Sequence, residues 1–488
     1  MKGYSRLRLM KVSFDTTYLH VLDFNSKSEQ SEYFSNLDSL SFNDLSFLRL
    51  DNIKVPCNID VLDTYGYAMV VNNGRIYYCF ITSKEYLNEN TTLLSLKVDV
   101  WQTFMFDYTI NTSFVEREHV SNDSIGANTI DENIELGEYI KKDLNVDDFK
   151  LGSDTYLLVC KYAIDGEVSG GKLINGVPVA GSCYAFSDIS ELMATIKTVT
   201  SEHADSIIGC SLVPRKSIQG FVDGDVVSES YMYFNMFNIG VSNTLDGYTP
   251  RNNKLLTYPY RMLNVDNCNG NSRDYVIEHF SGPTGGIMFY LSITGGLIPQ
   301  ALTMPMYYKG SQYGVSYDLK ITYNNPIPFN VSTFNSWLQN SSISSVIAGA
   351  GALSTGNPIV GALGIANLTN EYYQHERNSA STYNGNVGIS YLTNGAKFIA
   401  YEKTITSNYA RMIDDYFTRF GYKVNALKVP STKTRTNFNY VKTQNISLKG
   451  GSIDGKYLSE LESIYNNGVT IWHSIANFRN YNVDNEVI

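Results

Sequence analysis

Fifty consecutive residues, 321–370, carry no charged side chain, in a chain that is 18% charged overall. Such a segment cannot be ordinary solvated surface, and it limits what the rest of the chain can be. Its densest part is SSVIAGAGALSTGNPIVGALGIANL, residues 344–368. Between 346 and 368 lie eight large aliphatics, five Ala and five Gly. The central STGNP, residues 354–358, breaks any single helix. A bilayer core is about 30 Å thick and takes about 20 helical residues to cross. Each half of this segment has about ten residues, or about 15 Å of helix. It therefore reads as a helical hairpin, or as two short apolar arms around a turn. Eight aliphatics at roughly −0.3 to −0.6 kcal/mol each favour a membrane by a few kcal/mol per copy, before polar costs. Gly and Ala would also let neighbouring helices approach closely in lipid. A buried core hairpin and a flexible Gly/Ala linker are the plainer alternatives. Left exposed, the aliphatics would form a sticky patch, so a membrane-active segment must be hidden until needed. Packing such loops into the lumen of a ring-shaped oligomer would hide them.

The remainder reads as mainly β, multidomain, with a few helices. The chain has 37 Tyr and 37 Gly among its 488 residues, and its Val, Ile, Thr and Phe content favours strands. Residues 1–125 read as short strands. YAMVVNNGRIYYCFIT (67–82) is a hairpin turned at Asn73-Gly74, where both residues tolerate positive φ. Further hairpin turns are expected at Asn175-Gly176 and around Asn269-Gly270. The polar, acidic stretch 122–154 reads as a surface connection and a domain boundary. Strands return between 231 and 323, and Pro326 and Pro328 are expected to stop strand pairing. Helices are expected from Ser187, over TFNSWLQN after Ser332, over SNYARMIDDYFTRFGY and over DGKYLSELESIY. In the third, Ala410, Ile413, Tyr416, Phe417 and Phe420 would share a face, with Gly421 as the C-terminal cap. In the fourth, Asp454 or Ser452 would start the helix, Leu458, Leu461 and Ile464 would face the core, and Asn467-Gly468 would end it. The expected division is a β domain of 1–125 plus 430–488, a second β-rich domain of 126–255, an α+β domain of 256–330 plus 371–429, and the uncharged insertion 331–370.

Chemistry is harder to find. The net charge of −10 argues against a surface that binds nucleic acid by neutralising phosphates. It does not argue against a wall past which DNA slides without sticking. The six cysteines form no CxxC pair and none lies within four residues of a histidine, so zinc spacing is missing. They read as free, mostly buried thiols of a protein made in a reducing cytosol. The six histidines make no HExxH or HxxxH, and no GxSxG, P-loop or GxGxxG occurs. VDNCNGNSRD (265–274) fails the register of a calcium loop. Glu116 and Glu118 alternate with Arg117, which reads as the exposed face or the edge of a strand. A paired carboxylate for glycan hydrolysis is the alternative. The opening MKGYSRLRLMKVSFD lacks an apolar core, so no secretory signal is expected.

Several blocks taken together resemble a known family. VDVWQTFMFDYTINTSFVEREHV (98–120), then NTIDENIELGEY, the uncharged segment, YARMIDDYFTRFGYKVN, NFNYVKTQN and NNGVTIWH follow one another in the order found in tail knob (distal tail tube) proteins of small short-tailed bacteriophages of the phi-29 type. That resemblance implies a β-rich, hexameric tube at the distal end of the virion tail, assembled in the host cytoplasm, beside collar or other tail-tip proteins. DNA would leave through its lumen without specific binding. The apolar loops would plug the closed tube, then emerge and breach the host cytoplasmic membrane. Carried over here, the membrane-inserting residues would be Ile343, Val346, Ile347, Leu353, Ile359, Val360, Leu363, Ile365 and Leu368, around a turn at Gly356, Asn357 and Pro358. The resemblance supplies no catalytic residue, metal ligand or cofactor, and no enzymatic activity is expected. The competing readings are an adhesin that binds cell-wall carbohydrate through its many Tyr residues and a cell-wall hydrolase.

Overall fold

The structure is a computed structural model. It describes residues 6–147 apart from 44, 46–51 and 73; residues 235–327 apart from 268–269, 283–285, 295–299, 312–319 and 324–325; and residues 398–488. Between 148 and 234 it describes 155–160, 173–174, 177–178, 182–186, 191, 194–196, 198 and 207–213. The chain divides into two units: Met1–Glu135 with Pro250–Leu255 and Asn408–Ile488, and Leu136–Thr249 with Leu256–Ser407. As the composition predicts, both are dominated by strands.

The first unit holds an antiparallel six-stranded sheet. Its order is Ser39–Phe42, Arg6–Met10, Tyr67–Asn72, Arg75–Asn88, Thr91–Val98, Ile53–Val55. The predicted hairpin forms its centre, with Gly74 at φ +78°. A five-stranded sheet runs His20–Leu22, Val469–Trp472, Phe438–Gln444, Ser113–Glu118, Tyr422–Lys428. Side chains from both sheets meet in one core, where Leu7, Leu9, Tyr67, Phe438 and Trp472 are fully buried.

Residues 1–125 are not strands throughout. Lys27–Ser35 is a helix of little amphipathic character, set by its cap: Ser26 accepts from Glu29 N at 3.1 Å, and the Glu29 carboxylate accepts from Asn25 N at 2.8 Å. It holds because Phe34 is buried against Tyr78 and Gln30 donates to Gln102 O at 2.8 Å. The apolar run after Val98 becomes a second short helix, Val100–Phe104, because Asp99 caps it by accepting from Gln102 N at 3.1 Å.

The helix predicted before Gly421 spans Ser407–Phe420. Its buried face differs from the expected one. Ala410, Ile413 and Phe417 are buried as expected, but Asp414 and Thr418 join them while Tyr416 is 37% exposed. Tyr416 lies instead against the guanidinium of Arg117, 4.7 Å from its ring centroid. Gly421 ends the helix at φ +62°, donating to Phe417 O at 2.8 Å. The last helix, Gly455–Asn467, is capped by Asp454 and closed by Gly468, as predicted.

Among its described residues the second unit carries three four-stranded sheets. One runs Tyr139–Asp143, Ile399–Ile405, Arg261–Asp266, Ser272–Tyr275, and its Arg261–Ser272 hairpin turns at Gly270, φ +83°. Another runs Asn235–Ile239, Ile287–Thr294, Gln300–Met306, Ile321–Tyr323. The third runs Ser182–Phe186, Thr155–Cys160, Ile207–Val213, Pro326–Ile327. Pro326 therefore does not stop pairing. It lies in an edge strand, where a missing N–H is tolerated because only one side is bonded. Strands Leu173–Ile174 and Val177–Pro178 pair with each other, while the turn expected at Asn175-Gly176 lies outside the described residues. Of the helix expected from Ser187, residues 191, 194–196 and 198 are helical and the rest lie outside the described residues, as does the one expected after Ser332. Among the described residues no helix is long and apolar enough to cross a membrane.

Candidate functional site

The nine apolar positions from Ile343 to Leu368, and the turn at Gly356, Asn357 and Pro358, all lie outside the described residues. The strands that flank them are described. Before the segment, Ile321–Tyr323 pairs on the edge of its sheet, with Ala301 opposite Tyr323 and Thr303 opposite Ile321, and the Ile321 side chain is fully buried. Pro326–Ile327 then pairs on the edge of another sheet, with Cys210 opposite Ile327. After the segment, Phe398 is buried and Ile399–Ile405 is an interior strand, bonded to Tyr139–Asp143 on one side and Arg261–Asp266 on the other. The chain is thus held at sheet edges before residue 328 and in the middle of a sheet from Ile399 onward.

The first unit contains a cluster of buried charges that the sequence does not announce. Glu118 was expected on an exposed face or an edge, but Ser113–Glu118 is an interior strand and the Glu118 carboxylate is inaccessible to solvent. A bulge is responsible. Lys442 lies opposite Arg117 and Thr443 opposite Val115, so Glu116 is the extra residue and the alternation resets there. Glu118 accepts from Lys428 Nζ, from Ser431 N at 2.7 Å and from Ser431 Oγ at 3.1 Å. Glu116 pairs with Lys442 at 2.8 Å, which holds its carboxyl below the usual range. Both carboxylates are thus engaged by cations.

Glu132 comes from the acidic stretch that reads as surface. It is fully buried, and its carboxylate takes ion pairs from both Arg117 and Lys254 and a bond from Lys423 N at 2.9 Å. Lys254 also faces the rings of Tyr422 at 5.3 Å and Phe417 at 5.8 Å. Asp414, inside the Ser407–Phe420 helix, accepts from Arg251 N at 2.8 Å, Asn252 N at 3.1 Å and Asn252 Nδ2 at 2.7 Å. Together Glu132 and Asp414 fasten the Pro250–Leu255 segment to the first unit.

Beside this cluster opens a cleft of about 580 Å³, lined by residues 119, 121–124, 251–253 and 483–487 with Thr418 and Arg435. His119 on its wall is a fixed, neutral group. Its Nδ1 accepts from Tyr440 N at 2.8 Å, so Nε2 donates to Thr418 O at 3.1 Å. Burial, reinforced by Arg435, pushes its pKa down to about 3. Asp123 accepts from Tyr422 Oη at 2.6 Å, and burial raises its pKa. Arg435 lies outside the quoted sequence blocks, and Glu132, though inside NTIDENIELGEY, carries no local sign of burial there, so only the folded arrangement reveals their roles.

Comparison with known proteins bears out the family resemblance. The sequence model of the family "Bacillus phage phi29, Tail knob protein gp9, C-terminal domain" matches residues 226–486, and that of "Caudoviral major tail protein N-terminus" matches residues 4–109. The tail knob protein gp9 of Bacillus phage B103 is 24% identical, the match covering 98% of this chain and 97% of that protein. The tail knob protein gp9 of Bacillus phage phi29 is 23% identical, covering 98% of each. The structure of the bacteriophage C1 tail knob protein, gp12, superposes with a TM-score of 0.65 at 16% identity, covering 99% of this chain and 100% of that one, which shows a shared fold. Since the phi29 tail knob match spans more than half of its 488 residues, this chain belongs to the phi29-type tail knob proteins, structural components of the phage tail.

Proposed function

We propose that the chain builds the distal tube or knob of a short tail as a homohexamer that conducts DNA during ejection. On this reading it sits beside collar or other tail-tip proteins in the virion and is assembled in the host cytoplasm. The uncharged segment is its working part. Loops from the subunits plug the lumen in the closed state, then emerge and penetrate the host cytoplasmic membrane. One observation carries the reading: fifty residues without a charge are inserted into a tail knob chain. The paired strands on either side of residues 328–397 support it, because a segment between two strands held in sheets can swing out while its subunit stays folded. The acidic balance of the chain is compatible with a lumen that repels DNA. No catalytic role is assigned.

A synthetic peptide of residues 341–370, added to dye-loaded liposomes beside a scrambled peptide of the same composition, tests the membrane step. Leakage from the native order alone is expected. Equal leakage from both peptides, or none, would reduce the segment to a plug or a buried hairpin.

A further inference from the structure

We propose that the cleft beside the charge cluster is a binding site for a compact phosphate-bearing ligand, seated on the guanidinium of Arg435. The starting point is an imbalance. Arg435 is a permanent cation whose side chain is only 8% exposed, and it lines the cleft. Its Nη1 donates to Asn485 O at 3.2 Å. The Asp123 carboxylate stands 3.9 Å from its Nη2, beyond hydrogen-bond reach, and its Nε has no partner among the described residues. The other buried cations of this unit are better matched: Arg117 and Lys254 both close directly on Glu132. A buried guanidinium with one neutral acceptor and one distant counter-charge is costly, and an oxyanion supplying two acceptors would relieve it.

The walls of the cleft define what fits. Asp123 is an incomplete partner for Arg435, because it stands 3.9 Å away and already accepts from Tyr422 Oη. His119 contributes no charge, its two nitrogens being used within the fold. Arg251, 39% exposed, adds a second guanidinium in the lining, and it is shared with Asp415 at 2.5 Å. Ser121 and Ser124 add hydroxyl donors. Those donors favour a phosphate, with its larger number of acceptor oxygens, over a carboxylate. At about 580 Å³ the cleft has the size of an ordinary small-molecule site. Asp484 and Glu486 stand exposed in the same lining and would repel a long polyanion, so nucleic acid is a poor occupant. A single phosphate, free or as the ester of a small alcohol such as a lipid headgroup, is small enough to seat on Arg435 with fewer contacts to those carboxylates than a long polyanion makes.

Calorimetric titration of the full chain separates the sources, with inorganic phosphate in one arm and glycerophosphoethanolamine in the other. One saturable site per chain is expected in at least one arm. Tighter binding of the ester identifies a headgroup-type ligand, and tighter binding of phosphate identifies the free ion. Arg435→Gln should weaken binding at least tenfold. Ser124→Trp, at an exposed position in the lining, should block the cleft without changing the melting temperature, and it serves if Arg435→Gln fails to fold. No saturable binding in either arm, or binding unchanged in Ser124→Trp or in folded Arg435→Gln, overturns the proposal.

Discussion

Replacing Glu132 with Gln removes the negative end of a buried arrangement in which Arg117 and Lys254 share one carboxylate. Lys254 is 2% exposed and Glu132 is inaccessible, so water cannot take over the lost charge. Breaking one partner out of a buried pair costs about 3–5 kcal/mol, a large share of the roughly 5–15 kcal/mol that holds a typical domain folded. The loss should depend on pH. Burial already lowers the Lys254 pKa below 10.5, and Glu132 opposes that shift. Without Glu132 the depression deepens, so the unfolded chain binds more protons than the folded one and stability rises with pH. The deficit of Glu132→Gln should therefore shrink between neutral pH and pH 10. Urea unfolding followed by Trp fluorescence reads the right unit, because Trp101 and Trp472 are buried there. Adding Lys254→Met should restore part of the loss, since the orphaned ammonium is then gone. A deficit below about 1 kcal/mol, one independent of pH, or one that Lys254→Met deepens additively would refute the reasoning.

Other perturbations probe other parts of the molecule. Gly421→Ala should destabilise by about 2–4 kcal/mol in the same unfolding assay, because φ is +62° and an added Cβ would lie 2.1 Å from Glu118 O; a loss under about 0.5 kcal/mol would contradict it. The buried Asp99 carboxyl, raised from 3.8 to about 6 chiefly by desolvation, favours folding when protonated. Its contribution is full below pH 3.8 and fades as pH rises toward 6, so melting temperature measured across pH 4–7 should show a fall that Asp99→Asn lacks. Paired Val360→Glu and Leu363→Glu in the uncharged segment should abolish liposome leakage, because two charges at roughly 2.5–3.5 kcal/mol each outweigh the apolar gain of a few kcal/mol; undiminished leakage would remove the segment from the membrane step.

Much of this architecture is legible in local patterns. The hairpin turning at Gly74, the amphipathic helix ending at Gly421 and the helix between Asp454 and Gly468 are each set by neighbours within a few residues, through turn chemistry, apolar period and capping. The short helices Lys27–Ser35 and Val100–Phe104 escape notice because they have too few turns for a period, and burial of Phe34 and Trp101 is what holds them. The uncharged segment is a property of composition alone, and the proposed membrane step starts from it without any coordinates.

The interior charges belong to the other class. Glu118 and Glu132 lie in polar text that reads as surface, and nothing adjacent marks them for burial. Glu118 is sealed by Lys428 and Ser431, more than three hundred positions away, and Glu132 by Lys254, 122 positions away. Arg435 has no marking neighbour either, and its imbalance exists only because Asn485 and Asp123 stop where they do. Local sequence settles φ, caps and apolar faces, since these depend on interactions within a turn or two. Whether a carboxylate meets water or an ammonium depends on which distant segments arrive beside it, and that is decided only when the sheets and their connections close.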